Sequence, residues 1–276
     1  MSLFTIDQEK CKRDGICVKA CPTGVIVQED KDAFPHPSED AEEFCPRCGH
    51  CVAVCPHDAF ELTTMPLAEC QPLQKDLLPG PDAVRHLLKS RRSIRQYKAK
   101  PVPHDMLAGL IETARYAPTA SNTQQVHWAI VEDPAGVHRL AAVVVDFIKQ
   151  MVPSVTDEHR AGSMRRIIAA WDRGEDRLLR GAPSLILVHA PADQPFAETD
   201  CVTALAYLEL YAYAQGLGTC WAGYFTAAAK FHAPLTNALA LPPGHHCYGA
   251  VMVGYPQQRY KRIPRRNDAV VAWIQP

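Results

Sequence analysis

Three observations predict an α+β chain of two domains. Seven of the eleven cysteines lie before residue 56, in two runs that share one spacing. A proline-rich stretch without hydrophobic periodicity then interrupts the chain. Beyond it, helical patterns outnumber strand patterns and do not alternate with them one for one, which favours a layered α+β domain with a central sheet flanked by helices over a doubly wound sheet. The boundaries read 1–65 for a small cysteine-rich domain, 66–80 for a linker and 81–276 for the larger domain.

In the first domain, Cys45, Cys48, Cys51 and Cys55-Pro56 read C-x2-C-x2-C-x3-C-P. That spacing holds three thiolates around one iron-sulfur cubane and sends the fourth to a neighbouring one. Upstream, Cys11, Cys17 and Cys21-Pro22 keep the same register, with Asp14 where the second cysteine would stand. The residues after each run, Pro22-Thr-Gly-Val-Ile26 and Pro56-His-Asp-Ala-Phe60, echo one another as an internal duplication should. Paired C-x2-C motifs also hold structural zinc, and clustered cysteines form disulfides in secreted domains. Eight ligand positions in two copies, each closed by C-x3-C-P, fit neither well. His50 and His57 flank a ligand set that is already full.

Composition bounds the function classes. The chain has 276 residues, 47% hydrophobic, with 29 basic against 30 acidic side chains, enough for one or two domains with ample core. A near-zero net charge gives no electrostatic case for nucleic acid or membrane partners. Residues 1–10 lack the basic start and apolar run of a signal peptide, and no segment reaches the ~18 apolar residues of a membrane span. Together with the cysteine count this leads to the expectation of a cytoplasmic protein in a reducing compartment, with Cys70, Cys201, Cys220 and Cys247 as free thiols.

Past Pro66, Pro72, Pro79 and Pro81, a short helix begins at Asp82 with Val84, Leu87 and Leu88 on one face. A second covers Pro103 to Tyr116, with Leu107, Leu110, Ile111 and Ala114 at helical spacing and Pro118 closing it. Short apolar runs at His127–Val131 and Ser184–His189 predict buried strands. Helical patterns run from Gly136 to Val152 and from Ser163 to Arg180. Glu198 to Gln215 is apolar on nearly every face, as a central helix would be, and a last strand spans Cys247 to Gly254.

The chemistry of this domain falls between those elements. Arg91, Arg92, Ser93 and Arg95 put three guanidinium groups and a hydroxyl within five residues, and arginine forks match phosphate geometry. The loop of Ser121, Asn122 and Gln124 offers amides and a hydroxyl, 216–223 is glycine-rich and allows close backbone approach, and Arg262, Arg265 and Arg266 return guanidinium late in the chain. No G-x-G-x-x-G fingerprint is present. Nothing stands out as a general acid, a base or an activated nucleophile, so no catalytic side chain is assigned; Cys220 reads as a small buried residue. The apolar residues of 145–180, Phe147, Met151, Met164, Ile167, Ile168 and Trp171, could face an acceptor but at helical spacing read better as core.

Residues 1–65 resemble the bacterial two-cluster ferredoxins. The resemblance implies two 4Fe-4S clusters, one on Cys45, Cys48, Cys51 and Cys21, the other on Cys11, Cys17 and Cys55 with Asp14 as candidate fourth ligand. A carboxylate is a harder ligand than a thiolate, so the Asp14 cluster is expected to lose one iron and convert to a 3Fe-4S form. Residues 81–276 resemble the FMN-dependent nitroreductase family through RRSIRQY, the following PVP, APTASNTQ, LGTCWAG and the closing GYP with its arginines. That resemblance implies a homodimer with FMN at the subunit interface. Carried over by motif, Arg91, Arg92, Ser93 and Arg95 hold phosphate and ribityl groups; Ser121, Asn122 and Gln124 reach the ribityl chain or ring edge; Trp221, Ala222 and Gly223 line the isoalloxazine; and Arg265, with Arg266 close behind, makes the late phosphate contact. The implied activity is an oxidoreductase fed by a ferredoxin-like donor or NAD(P)H, passing electrons through both clusters and FMN to a small nitro, quinone or activated alkene acceptor. The competing class is a non-enzymatic electron carrier or redox sensor; a third is a protein for which FMN is itself the substrate.

Overall fold

The computed structural model describes residues 2–275. It divides into two compact units, Met1–Leu78 with Thr119–Thr123, and Pro79–Pro118 with Gln124–Pro276.

The first unit contains β1 (Phe4–Ile6), α1 (Ile16–Ala20), β2 (Ile26–Val27), β3 (His36–Pro37), α2 (Ala41–Phe44), α3 (His50–Val54) and β4 (Phe60–Leu62). β1 pairs antiparallel with β4, and β2 with β3. The duplication seen in the sequence is repeated in the backbone. α1 and α3 each follow a left-handed glycine, Gly15 (φ 68) and Gly49 (φ 72), which has no Cβ to penalise that conformation. Arg13 and Arg47 precede them at φ 58 and 50. Each helix stops at an extended cysteine, Cys21 or Cys55, followed three residues on by another left-handed residue, Gly24 or Asp58. Phe4 and Phe60, with ring centroids 4.5 Å apart, anchor a core that includes Val25, Ile26, Val52 and Leu62. The proline-rich stretch forms two single 3-10 turns, Leu67–Glu69 and Lys75–Leu77.

The second unit comprises α4 (Pro81–Ser90), α5 (His104–Ala114), β5 (His127–Val131), α6 (Pro134–Met151), α7 (Glu158–Trp171), β6 (Ser184–Pro191), α8 (Ala197–Ala214), β7 (Gly218–Trp221), α9 (Gly223–Phe231), α10 (Ala233–Leu239) and β8 (His245–Gly254). The sheet runs β5-β6-β8-β7, with every pair antiparallel. Successive side chains of β6 point to opposite faces. Leu185 and Leu187 join a core built from α6, α7, α9 and α10, while Ile186 and Val188 join one built from α5 and α8. Cover on both faces is why β6 reads as an unbroken apolar run rather than an alternating one. Among the described residues no helix is long and apolar enough to cross a membrane.

Several elements differ from expectation, β5 among them, an edge strand with no buried residue. α7 runs Glu158–Trp171 rather than 163–180: the Asp157 carboxylate caps its start by accepting from His159 N and Arg160 N, and a left-handed Gly174 (φ 80) follows its end. Within 176–181, Asp176 accepts from the backbone of Leu178, Leu179 and Gly181, organising a turn instead of a helix. The glycine-rich 216–223 contains strand β7, too short to show a pattern, and α9 and α10 follow it unforeseen. The apolar residues of 145–180 are core, as their helical spacing suggests: Phe147 and Met164 are buried, with Met151, Ile167, Ile168 and Trp171 packed against them.

Gly218 is where the 91–98 segment meets the sheet. Ser93 bridges Thr219 in parallel, and Ile94 N donates to Thr219 O at 2.8 Å. A Cβ on Gly218 would overlap Ile94 Cγ1 and lie 2.7 Å from Ile94 Cβ. Gly218→Ala is therefore expected to destabilise this unit by about 1–3 kcal/mol through overpacking. All four tryptophans lie after residue 80, so their fluorescence during denaturation follows this unit alone. An unshifted midpoint would show that Ile94 yields without strain.

Candidate functional site

The eight predicted cluster positions separate into two cavities. Cys21, Cys45, Cys48 and Cys51 line one, walled by Leu3, Phe4, Val25, Ile26 and Leu62. Cys11, Asp14, Cys17 and Cys55 line the other, with Ile6, Ile16, Pro35 and Phe60. The last cysteine of each run therefore sits with the opposite run, because each short helix turns into extended chain at that residue. Burial pushes the Cys51 thiol up to about 12 and raises Cys17 as well. A thiolate at these places needs a cation to offset its desolvation, and soft sulfur sets of this kind suit iron-sulfide or zinc. Cys21 differs: burial raises its pKa, but hydrogen bonds from the Thr23 hydroxyl and from the backbone of Thr23, Val25 and Gly24 outweigh that and hold it below the ordinary thiol value. Asp14 is held on both oxygens, with Oδ1 accepting from Ile16 N at 3.1 Å and Oδ2 lying 3.5 Å from His57 Nε2.

In the second unit the arginine cluster splits three ways. Arg91 Nη1 lies 3.4 Å from Glu209 Oε1. Arg92 lines a cleft of about 1330 Å³, solvent-open space included, together with Ser90, Lys98, Tyr255, Arg259, Lys261 and Arg262. Arg95 faces a smaller hollow with Arg180, Gln258 and Tyr260. Tyr97 fixes the segment by donating its hydroxyl to Ile94 O at 2.8 Å, and burial raises its pKa strongly. The late arginines divide differently from expectation: Arg262 reaches the cleft, whereas Arg265 and Arg266 stand in the exposed tail, Arg265 being 3.8 Å from Asp268 Oδ2. The structure does not bring these two together with Arg92.

Glu209, on α8, was not singled out in the sequence. It is 7% exposed and accepts from Thr219 Oγ1 and Trp221 Nε1, both at 2.7 Å, besides facing Arg91. A buried carboxylate needs such partners, and here they tie the arginine segment to β7. The signal available was an acid between Leu208 and Leu210, beyond the acidic first turn of an otherwise apolar helix. Trp221 thus has its indole nitrogen committed while its ring is partly exposed. Ala222 is buried and its N–H donates to Ala250 O at 2.8 Å, so that amide is not free for a cofactor. Gly223 opens α9, whose first N–H groups lack intrahelical acceptors. Cys220 is buried, and burial raises its thiol pKa.

Ser121, Asn122 and Gln124 all adopt positive φ, at 51, 55 and 51. Asn122 Nδ2 donates to Pro46 O at 3.0 Å and Arg47 O at 3.1 Å, so its amide holds the cysteine-bearing loop of the first unit. Beside them, Gln125 Oε1 is buried without a hydrogen-bond partner. An orphaned buried acceptor costs about 1–3 kcal/mol, and a bound group carrying an O–H or N–H would relieve it.

Comparison with known proteins agrees with both halves. The model of the 4Fe-4S dicluster domain matches residues 3–57, and that of the Nitroreductase family matches residues 88–255. The putative NAD(P)H nitroreductase YfhC of Bacillus subtilis is 26% identical over 195 residues, covering 67% of this chain and 91% of that protein. An NADH dehydrogenase of Thermus thermophilus is 29% identical over 207 residues, covering 71% and 98%. The crystal structure of a nitroreductase with bound FMN from Bacteroides fragilis superposes with a TM-score of 0.52 at 25% identity, covering 68% of this chain and 98% of its own. The chain belongs to the nitroreductase family and carries a 4Fe-4S dicluster domain ahead of the family's fold.

Proposed function

We propose that this chain is an iron-sulfur flavoprotein oxidoreductase that takes electrons from a ferredoxin-type protein or NAD(P)H and delivers them to a small organic acceptor of the nitro, quinone or activated alkene type. When bound, the two clusters supply one-electron carriage and FMN supplies the two-electron chemistry. One observation carries the reading: two cavities, each lined by four of the eight motif positions, with Cys21 and Cys55 exchanged between the runs.

In this reading Cys21, Cys45, Cys48 and Cys51 hold one cluster, and Cys11, Cys17, Cys55 and Asp14 the other. The hydrogen bond from Ile16 N and the neighbouring His57 keep Asp14 oriented while competing with iron for its oxygens, which supports an exchangeable corner and a 3Fe-4S form. The basic cleft around Arg92, Lys98, Arg259, Lys261 and Arg262 fits a phosphate-bearing cofactor. Ser93, Arg95, Gln124, Gly223 and the exposed ring of Trp221 complete the proposed FMN contacts, with Gln125 Oε1 as an added acceptor. Arg91 acts through Glu209, positioning Trp221 rather than neutralising phosphate. A homodimer is part of the proposal: Val202, Tyr207 and Tyr213 of α8, and Val270, Trp273 and Ile274 near Arg265 and Arg266 in the tail, leave apolar surface for a second copy to cover.

Cys21→Ala and Cys48→Ala are expected to remove the same cluster, seen as loss of one paramagnetic signal and of about half the bound iron, while FMN stays bound. Loss of different signals from the two variants would break the crossed assignment. Arg92→Ala is expected to weaken FMN retention by roughly 1.5–3 kcal/mol, the worth of a hydrogen bond to a charged group, and an unchanged dissociation constant would take Arg92 out of the site. Glu209→Ala, which leaves the partly buried Arg91 and the Trp221 indole unpaired, is expected to cost about 3–5 kcal/mol in the stability of the second unit, whereas Glu209→Gln recovers part of it. Steady-state assays under anoxia, with reduced ferredoxin or NADPH against a panel of nitro, quinone and enone acceptors, test the activity itself. Absence of turnover with every pair would favour the electron-carrier reading.

A further inference from the structure

Outside these sites, three histidines meet at one end of the sheet. His127 opens β5, His189 lies near the end of β6 and His245 opens β8, so three adjacent strands contribute one imidazole each. His127 stands directly opposite His189 in the β5–β6 pairing, and His245 lies opposite Pro191, two residues along from His189 on the same face. A register shift between Val188 and His189 interrupts the β6–β8 ladder there; such irregularities re-aim side chains. On this face the apolar row of Leu185 and Leu187, flanked by Ala129 and Val131, gives way to the three rings.

The rings are close enough to share one ion. His189 Nδ1 and His245 Nδ1 are 2.9 Å apart, and ligand-capable nitrogens of all three residues lie within 4.8 Å of one another. Centroids are 4.9 Å apart for His127 and His245, 5.0 Å for His189 and His245, and 5.4 Å for His127 and His189. Two imidazole nitrogens on a tetrahedral zinc ion, each ~2.0–2.1 Å from the metal, stand about 3.3 Å apart, so modest ring rotations would close the set. His189 is 5% exposed, His245 half-buried and His127 exposed, which leaves a solvent side open for a fourth ligand. The neutral imidazole is the ligand form.

We propose that His127, His189 and His245 form a three-histidine site for a divalent transition-metal ion of the zinc class, with water as the fourth ligand. All-nitrogen coordination suits zinc, copper(II) or nickel(II) and differs in kind from the sulfur-lined cavities of the other unit. The ion would clamp the ends of β5, β6 and β8. The proposal stands apart from the flavin and cluster assignments.

The test uses full-length protein with its clusters loaded, titrated with Zn²⁺ anaerobically against a chromophoric chelator, and then measured by zinc X-ray absorption. One equivalent is expected to bind with only nitrogen and oxygen neighbours. Affinity should fall at least 100-fold in His189→Ala and at least tenfold in His127→Ala, whose exposed side chain leaves folding least affected, while His104→Ala, a surface control, binds as the parent does. Sulfur in the zinc shell, no retained zinc, or equal affinity in His127→Ala and the parent would each overturn the site.

Discussion

The first unit depends on an exchange of terminal cysteines between its two runs. Neither cysteine run lines a cavity alone; each receives its fourth member from the other, Cys21 entering the second run's cavity and Cys55 the first's. The geometry follows from a local rule applied twice: left-handed glycine, one and a half helical turns, then an abrupt change to extended backbone at the terminal cysteine. The core that backs this arrangement is small, with ten buried hydrophobic residues among the described ones, Phe4, Phe60 and Leu62 included. Single cores in domains of this size rarely supply more than about 3–5 kcal/mol, and metal sites are one way small domains make up the difference. Buried sulfur such as that of Cys51 is then part of the same balance, because its charged form is tolerable only with a cation beside it.

The second unit is organised around the buried carboxylate of Glu209. Glu209 faces donors from three places, Arg91, Thr219 and Trp221. Removing water from a carboxylate costs several kcal/mol unless it is well partnered, so the positions of these donors are coupled. The arginine segment is held against β7 by Glu209, by the Ser93–Thr219 bridge and by close contact between Ile94 and Gly218. This frame turns Arg92 toward the cleft and Arg95 toward Arg180, separating groups that are neighbours in the sequence.

Legibility in the sequence followed the range of the signal. The cysteine spacing is covalent and local, so the two runs and their duplication could be read directly, and long periodic helices such as α6 and α8 were found within a few residues. β7 could not be, because Gly-Thr-Cys-Trp is too short to alternate. Arg262 and Arg265 look alike in the sequence; only the path of the chain separates one that reaches the cleft from one paired with Asp268. Asn122 sits in a loop whose motif suggests a cofactor contact, yet its amide holds the carbonyls of Pro46 and Arg47. The three histidines are far apart in the chain, so strand register alone brings them together.

The same logic bears on how an acceptor would be chosen. The large apolar side chains of α6 and α7, Phe147 and Met164 above all, are committed to the core. Side chains already packed against α9, α10 and the sheet cannot also line a substrate pocket without opening a cavity, at a cost of about 2–5 kcal/mol for each large residue withdrawn. In the proposed reading, selectivity for an acceptor therefore rests on groups that the core leaves over. Those are the partly exposed ring of Trp221, fixed by Glu209 through its indole nitrogen, and the basic side chains that line the cleft and the hollow beside it. If the chain reduces an acceptor as proposed, a flat one carrying negative charge would match that set better than a neutral aliphatic one.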